Sequence, residues 1–319
     1  MSIRSGEASR QIYRAEKQGF MKNIKKHRYA YLLILPALLF VLVFSYFPLL
    51  GIVMAFKDYS VLDGIMGSPW VGFKHFITIF TQPNMLKTIA NTLLYGTVIL
   101  FGGFPFPIIL AIMFNELRNM KFKKVVQTVS YMPYFLSWIS VIGLFYAFLA
   151  TEGPFNSLMA LIFGSGWQAK NILLDSKYFL PVIYISHLWK NVGWSSVLFL
   201  AAIAGIDPSL YEAASIDGCG RFKQIMHITI PSIATTMIIV LIMSLGTLVN
   251  TNFEQVYGFQ NVYVQEATDV INTVIYRQGI ENGKYSLATA FGLSQGVVTL
   301  ALLLISNTLS KKLFKISIW

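Results

Sequence analysis

Charge is what this sequence has least of. Lys, Arg, Asp and Glu together make up 12% of its 319 residues, about half the share of an ordinary globular chain. Acid is the scarcer sign, with 14 Asp and Glu against 25 Lys and Arg and a formal net charge of +11. Two soluble domains, which the length alone would suggest, are excluded because their surfaces need more charge than this. The single cysteine, Cys219, excludes a disulfide framework and a Cys-based zinc or iron–sulfur site. His27, His75, His187 and His227 are scattered without metal-ligand spacing. The nearest approach to a nucleotide-binding G-x-x-x-x-G-K-[ST] is Gly279 to Tyr285, which is one residue short and lacks the hydroxyl residue. No Gly-x-Ser-x-Gly elbow occurs. The chain is therefore expected not to be an enzyme, to bind no cofactor or metal, and not to hydrolyse ATP itself.

What is present is apolar. Apolar residues are 55% of the chain and the mean hydropathy is +0.60, which is the composition of a polytopic membrane protein. Residues 1–28 form a basic segment, with Arg4, Arg10, Arg14, Lys17, Lys22, Lys25, Lys26 and Arg28 against Glu7 and Glu16. The apolar run Tyr29–Phe56 that follows is too long for a cleaved signal peptide and reads as a first span. Residues 29–319 then make one all-α transmembrane domain of six helices, with spans at about 29–56, 91–114, 125–149, 180–205, 232–250 and 286–309. Pro36, Pro48, Pro105 and Pro107 fall inside or at the ends of spans, where a helical bundle tolerates them. Gly292 and Gly296 form a GxxxG on the last span, a pattern expected at a close helix contact.

The positive charges orient the bundle. Residues 1–28, 115–124, 206–231 and 310–319 carry 17 of the 25 Lys and Arg; the alternate loops carry seven, and Lys190 lies within a span. By the positive-inside rule both termini and the 206–231 loop are cytoplasmic, in a multi-pass protein of the inner membrane. The basic excess thus serves topology and the anionic inner leaflet, and nucleic-acid binding is not required to explain it.

The 206–231 loop is the most specific stretch. Asp207 is a candidate N-cap with Pro208 at the first helical position. Gly218 and Gly220 supply a corner, Arg221–Ile228 reads as a second short amphipathic helix, and Pro231 ends it before the next apolar run. Glu212-Ala213-Ala214, three residues, Gly218, nine residues and Ile228-Thr-Ile-Pro231 resemble the signature loop (the EAA motif) of permease subunits of binding-protein-dependent ABC importers. Ile230 stands where that family usually has Leu, and Cys219 where it often has Ala; both changes keep an apolar residue.

Polar residues inside spans carry the other signal, because lipid penalises them. His187, Lys190 or Asn191, and Trp194 recur at helical spacing around Trp189. Lys190 lies about ten residues, roughly 15 Å, from the end of its span, close to the midplane. One reading makes this face a translocation path, with Lys190 as hydrogen-bond donor or anion partner. The other makes Lys190 half of a structural ion pair, perhaps with Glu254, and the Trp residues packing. Asn250, Asn252, Phe253, Glu254, Gln255 and Tyr257 form a second cluster, suited either to a hydroxyl-rich ligand or to an interfacial cap. Asp269–Arg277 reads as a helix lying on the outer surface.

With Asp58-Tyr59, Ser68-Pro-Trp-Val-Gly-Phe73, Trp189-Lys190-Asn-Val-Gly-Trp194 and Phe253-Glu254-Gln255, the chain from Tyr29 onward looks like the sugar-importer branch of those permeases, in particular its LplB-like polysaccharide and oligosaccharide group. The resemblance implies the type I importer permease fold, a second homologous permease, two ATP-binding subunits that hold ATP and Mg, an extracytoplasmic solute-binding protein and an oligosaccharide substrate. It also implies that Glu212, Ala213, Ala214, Asp217, Gly218 and Pro231 serve the contact with the ATPase. The alternative from another class is an ion-gradient-driven secondary transporter with Lys190 and Glu254 as titrating groups; it has no need of the coupling loop.

Overall fold

The computed structural model describes residues 26–314, and the chain divides into two compact units between Val53 and Met54. The division falls inside the first apolar run. Helix α1 (Arg28–Phe56) accounts for the described part of the first unit and runs three residues beyond it. It is α-helical to Val41, then takes a π-helical turn at Leu42–Tyr46 and tightens to a 3₁₀ helix at Phe47–Phe56. Every residue from Lys26 to Leu50 is exposed. An exterior as apolar as that from Tyr29 to Leu50 is stable only where lipid replaces water.

The second unit is also helical, and no β-strand occurs among the described residues. Helix α2 (Lys74–Thr81) leads into α3 (Pro83–Glu116), which starts earlier than the expected 91 because Pro83 sits at its first turn. A π-helical turn at Val98–Gly102 precedes Pro105, whose missing N–H the helix absorbs there.

The expected single span at 125–149 is broken. Helix α4 (Met120–Tyr131) begins where Asn119 Oδ1 accepts from the Lys121 and Phe122 amides at 3.0 and 3.1 Å. A 3₁₀ turn, Met132–Phe135, and an extended Leu136 follow. Helix α5 (Trp138–Leu149) restarts on the side chain of Ser137, which accepts from the Ser140 amide at 3.2 Å. Pro133 removes a ladder donor and Ser137 offers a new cap, so the apolar run is continuous while the helix is not.

Helix α6 (Phe179–Ala204) is the axis of the second unit. Its buried residues Ile183, Ser186, Lys190, Gly193, Ser196, Phe199 and Ile203 follow a three- or four-residue spacing, the seam along which neighbours pack. Phe199 and Ile203 join Ile108 and Ala111 of α3, and Gly193 lies so close to α4 that a Cβ would overlap the Ser130 carbonyl. A turn of 70° then leads into α7 (Pro208–Ile216).

The expected second short helix and the fifth span are one run. Helix α8 (Arg221–Leu245) passes through Pro231 because a π-helical turn, Ile225–Thr229, comes immediately before it and accommodates the missing donor. It ends at Leu245 rather than 250, and residues 246–252 are irregular. Beyond it, α9 (Phe253–Phe259) is capped by Asn252, α10 (Ile271–Tyr276) buries Ile271, Thr273 and Val274, and α11 (Tyr285–Phe314) closes the bundle. The surface helix read at Asp269–Arg277 starts two residues later, continues as a π-helical turn to Glu281, and is half-sunk. It packs with Ala290 and Phe291 of α11. Among the described residues, a Cβ at Gly296 would meet nothing within 4 Å and one at Gly292 only Ile275 of α10, at 3.9 Å; both glycines line an open groove of about 430 Å³ with Asn250, Gln295 and Thr299.

Candidate functional site

Two features gather the polar residues of the second unit. The first is a cavity of about 1000 Å³ between α3, α6, α8 and the 250–253 turn. His187, Asn191, Trp194, Asn250, Asn252 and Phe253 all line it. Ser195, Ser244, Thr247, Thr251 and Asn272 join them, so the wall offers amides and hydroxyls between the aromatic faces of Phe104, Trp194 and Phe253. Apart from His187, no lining side chain is titratable in the physiological range.

Each polar group has a local reason for its position. Asn191 Nδ2 donates to the His187 carbonyl one turn back at 2.9 Å, which orients the amide along the helix. Gln255, fully buried, donates to the Ile183 carbonyl (2.7 Å) and to Ser186 Oγ (2.9 Å), pinning α9 onto α6. Asn272 donates to Asn250 Oδ1 at 2.9 Å and to the Thr251 carbonyl, while its own Oδ1 accepts from Gln295 at 2.9 Å. Gln295 also donates to the Val249 carbonyl at 2.7 Å. The backbone that leaves α8 is thus satisfied by side chains of α10 and α11, as irregular backbone at membrane depth requires.

Besides Gln255, four of the candidate residues are not in the cavity wall. Trp189 packs edge-on to Phe145, with ring centroids 6.2 Å apart. Tyr257 stacks on Phe253 at 5.1 Å and donates to Glu281 at 2.9 Å. Glu254 and Lys190 form no salt bridge with each other. Lys190 is 6% exposed and donates to the carbonyls of Tyr134 (2.7 Å) and Leu136 (2.6 Å). Asn272 was not legible in the sequence, since its role depends on a fold-back from residue 272 to residue 250. An acidic residue that was also missed, Asp269, forms a half-sunk ion pair with Arg277 at 2.7 Å.

The second feature is the loop from Asp207 to Pro231. Asp207 Oδ1 accepts from the Ser209 amide at 2.9 Å, and hydrogen bonding from Ser209 holds this carboxyl below its ordinary value. The α7 helix ends on Gly218 at φ +73°, with the Cys219 amide donating back to the Ala214 carbonyl at 2.8 Å. Buried Gln224 then ties the two limbs, donating to Ser215 Oγ and to the Cys219 carbonyl, both at 3.0 Å. Tyr211 and Thr229 share a hydrogen bond of 2.9 Å, and Arg221 pairs with Glu116 of α3 at 2.9 Å. Glu212, Ala213, Asp217 and Gly218 remain exposed on this braced element, beside Ile216 and Phe222.

The family model described as the inner membrane component of binding-protein-dependent transport systems matches residues 103–315, which takes in this loop and most of the cavity wall. The chain belongs to that family. Among relatives of this permease, the Bacillus subtilis polygalacturonan/rhamnogalacturonan transport system permease protein YteP is 39% identical over 302 residues, 94% of each chain. Protein LplB of the same organism is 39% identical over 294 residues, 92% of each. In structure the permease is similar to a chain of the crystal structure of a bacterial ABC transporter involved in the import of the acidic polysaccharide alginate, with a TM-score of 0.85, 36% identity and coverage of 92% of this chain and 99% of that one. A chain from the bacterial alginate ABC transporter in complex with an alginate pentasaccharide-bound periplasmic protein matches equally well, at 0.85 and 36%, over 93% and 99% of the two chains. The permease is a transport subunit and not an enzyme. Membership of an ABC importer family also removes the gradient-driven alternative, whose two titrating groups form no salt bridge.

Proposed function

We propose that this permease moves an oligosaccharide or polysaccharide fragment, acidic in character, across the bacterial cytoplasmic membrane by alternating access. It works as one of two homologous permease subunits. A solute-binding protein delivers the sugar from outside, and two ATP-binding subunits that hold ATP and Mg act from the cytoplasm. The permease itself binds no cofactor. The observation that carries the reading is the wall of the cavity: neutral donors and acceptors set between aromatic plates are what a hydroxyl-rich ring needs. The relatives named for polygalacturonan and alginate transport supply the acidic class. Uronate carboxylates would be met by amide and hydroxyl donors on this side.

Coupling runs through the 206–231 loop. Glu212 and Asp217 offer carboxylates to a polar or basic ATPase group, Ala213 and Ala214 permit close approach, Gly218 sets the angle of α7, and Pro231 lies at the root of α8. ATP binding must favour one arrangement of the bundle over the other for the cycle to turn. The test is the ATPase activity of the co-purified complex in lipid, with and without a binding protein loaded with acidic oligosaccharide. Wild type is expected to be stimulated. Glu212→Ala combined with Gly218→Pro should abolish the stimulation or the assembly, since proline cannot adopt φ +73°. Normal stimulation in the double variant would refute the coupling role.

A further inference from the structure

Among the described residues of the second unit, the Lys190 ammonium is the most deeply buried cation, and its surroundings identify what it serves. It faces the break between α4 and α5. Pro133 and the extended Leu136 interrupt the backbone ladder there, so carbonyls of the break need donors from another element. The ammonium supplies them, to Tyr134 O at 2.7 Å and Leu136 O at 2.6 Å, and lies 5.4 and 5.5 Å from the ring centres of Tyr134 and Trp138. The Tyr134 ring stacks on Trp194 with centroids 5.0 Å apart and an interplanar angle of 11°, and Phe135 meets the same indole edge-on at 5.5 Å. Trp194 is a wall of the cavity; Lys190 is not.

We propose that Lys190 is a positioning residue that caps the broken span from the side and thereby holds Tyr134 against Trp194, fixing the aromatic plate of the path. Substrate charge is not its target. Two carbonyls and two aromatic faces form a dipolar cage suited to a cation, with Glu254 acting on it only at longer range and, among the described residues, no carboxylate within salt-bridge distance. The assignment of the path rests on the reading given above, whereas the cap does not, and the tests separate them.

The whole complex, labelled with 5-fluorotryptophan, is compared by ¹⁹F NMR in wild type, Lys190→Met and Lys190→Arg, with Trp194→Phe assigning the Trp194 line. Hydrogen exchange of residues 132–140 is followed in parallel. Lys190→Met is expected to shift the Trp194 line and to speed exchange across the break at least tenfold, with Lys190→Arg restoring both. An unmoved Trp194 line, or a break no less protected in Lys190→Met, overturns the cap. Should Lys190→Met not assemble, Lys190→Gln replaces it, and failure of Lys190→Arg to restore assembly also overturns it. Uptake of alginate pentasaccharide and of a neutral maltopentaose then tests the second half. Equal fold losses for every sugar carried by the wild type are expected; a loss confined to the acidic sugar would overturn the proposal in favour of direct charge recognition. If Trp194→Phe leaves all uptake unchanged while the ¹⁹F and exchange results hold, the cap stands and the path lies elsewhere.

Discussion

Single residues separate into those the helical period made legible and those it did not. His187, Asn191 and Trp194 line the cavity because i, i+4 and i+7 share a face. Lys190 is one residue from Asn191, a rotation of about 100°, and that rotation takes it from the cavity to the buried seam with Ser186 and Gly193. A spacing argument that admitted either residue to the face had no means of choosing, since the partner of Lys190 is backbone from a distant segment. Gly193 makes the same point more sharply. Any side chain there meets the Ser130 carbonyl, so Gly193→Ala should cost about 1–3 kcal/mol by overpacking, seen as a lower thermal midpoint of the complex, whereas Gly143→Ala, which meets nothing within 4 Å, serves as the control. Asn272→Leu removes the amide that joins Asn250 to Gln295. Sugar uptake should fall by about tenfold or more, at the scale of one lost buried hydrogen bond with its partners left unsatisfied, while the amount of assembled complex stays near wild type.

Among the elements, those with end signals were readable and those defined by interruption were not. Asp207-Pro208 and Gly218 mark the limits of α7, and the structure uses all three. Helices α4, α5 and α8 depart from the expected spans at prolines: Pro231 does not end α8, and a single span at 125–149 takes no account of Pro133. The effect of a proline depends on what lies beside it. The π-helical turn before Pro231 lets α8 continue, while the Ser137 cap after Pro133 lets α5 begin anew. The coupling loop is held by Gln224 from within, which is again a long-range contact of a residue with no distinctive pattern. Gln224→Leu, which keeps the bulk and removes both donors, should leave basal ATPase activity in place and reduce its stimulation by loaded binding protein. It should also speed amide exchange over residues 211–220 by about tenfold, the scale of one hydrogen bond. Unchanged exchange would mean that the loop is braced by Tyr211 and Arg221 alone.

For the whole molecule, composition pointed to the class at once, because a chain this poor in charge has no soluble solution; of the six expected spans, the described residues form five helices long and apolar enough to cross a membrane, or six if the bent pair Ser176–Ala204 and Pro208–Ile216 counts as one, with the third lying at Trp138–Phe163 rather than 125–149. What composition could not give is how the runs divide into helices, or that the boundary between the two compact units falls within α1, after Val53. Orientation is a prediction from the distribution of Lys and Arg, and the lone cysteine allows a direct check. Cys219 lies beside Gly218 on the coupling loop and is partly exposed. In intact cells a membrane-impermeant maleimide should leave Cys219 unmodified, and in inverted vesicles it should label it; labelling from outside would reverse the topology. Helix α8 has a mechanical meaning as well. One continuous rod carries the distal limb of the coupling loop at Arg221 and the cavity residues Val240 and Ser244. At 1.5 Å per residue the two ends are about 35 Å apart, so a tilt of roughly 10° pivoting near the cavity corresponds to about 6 Å of travel at the loop. A push of ångström size from below becomes a rotation of a few degrees in the wall, carried along a helix whose irregular stretch is the π-helical turn and Pro231 close to its cytoplasmic end.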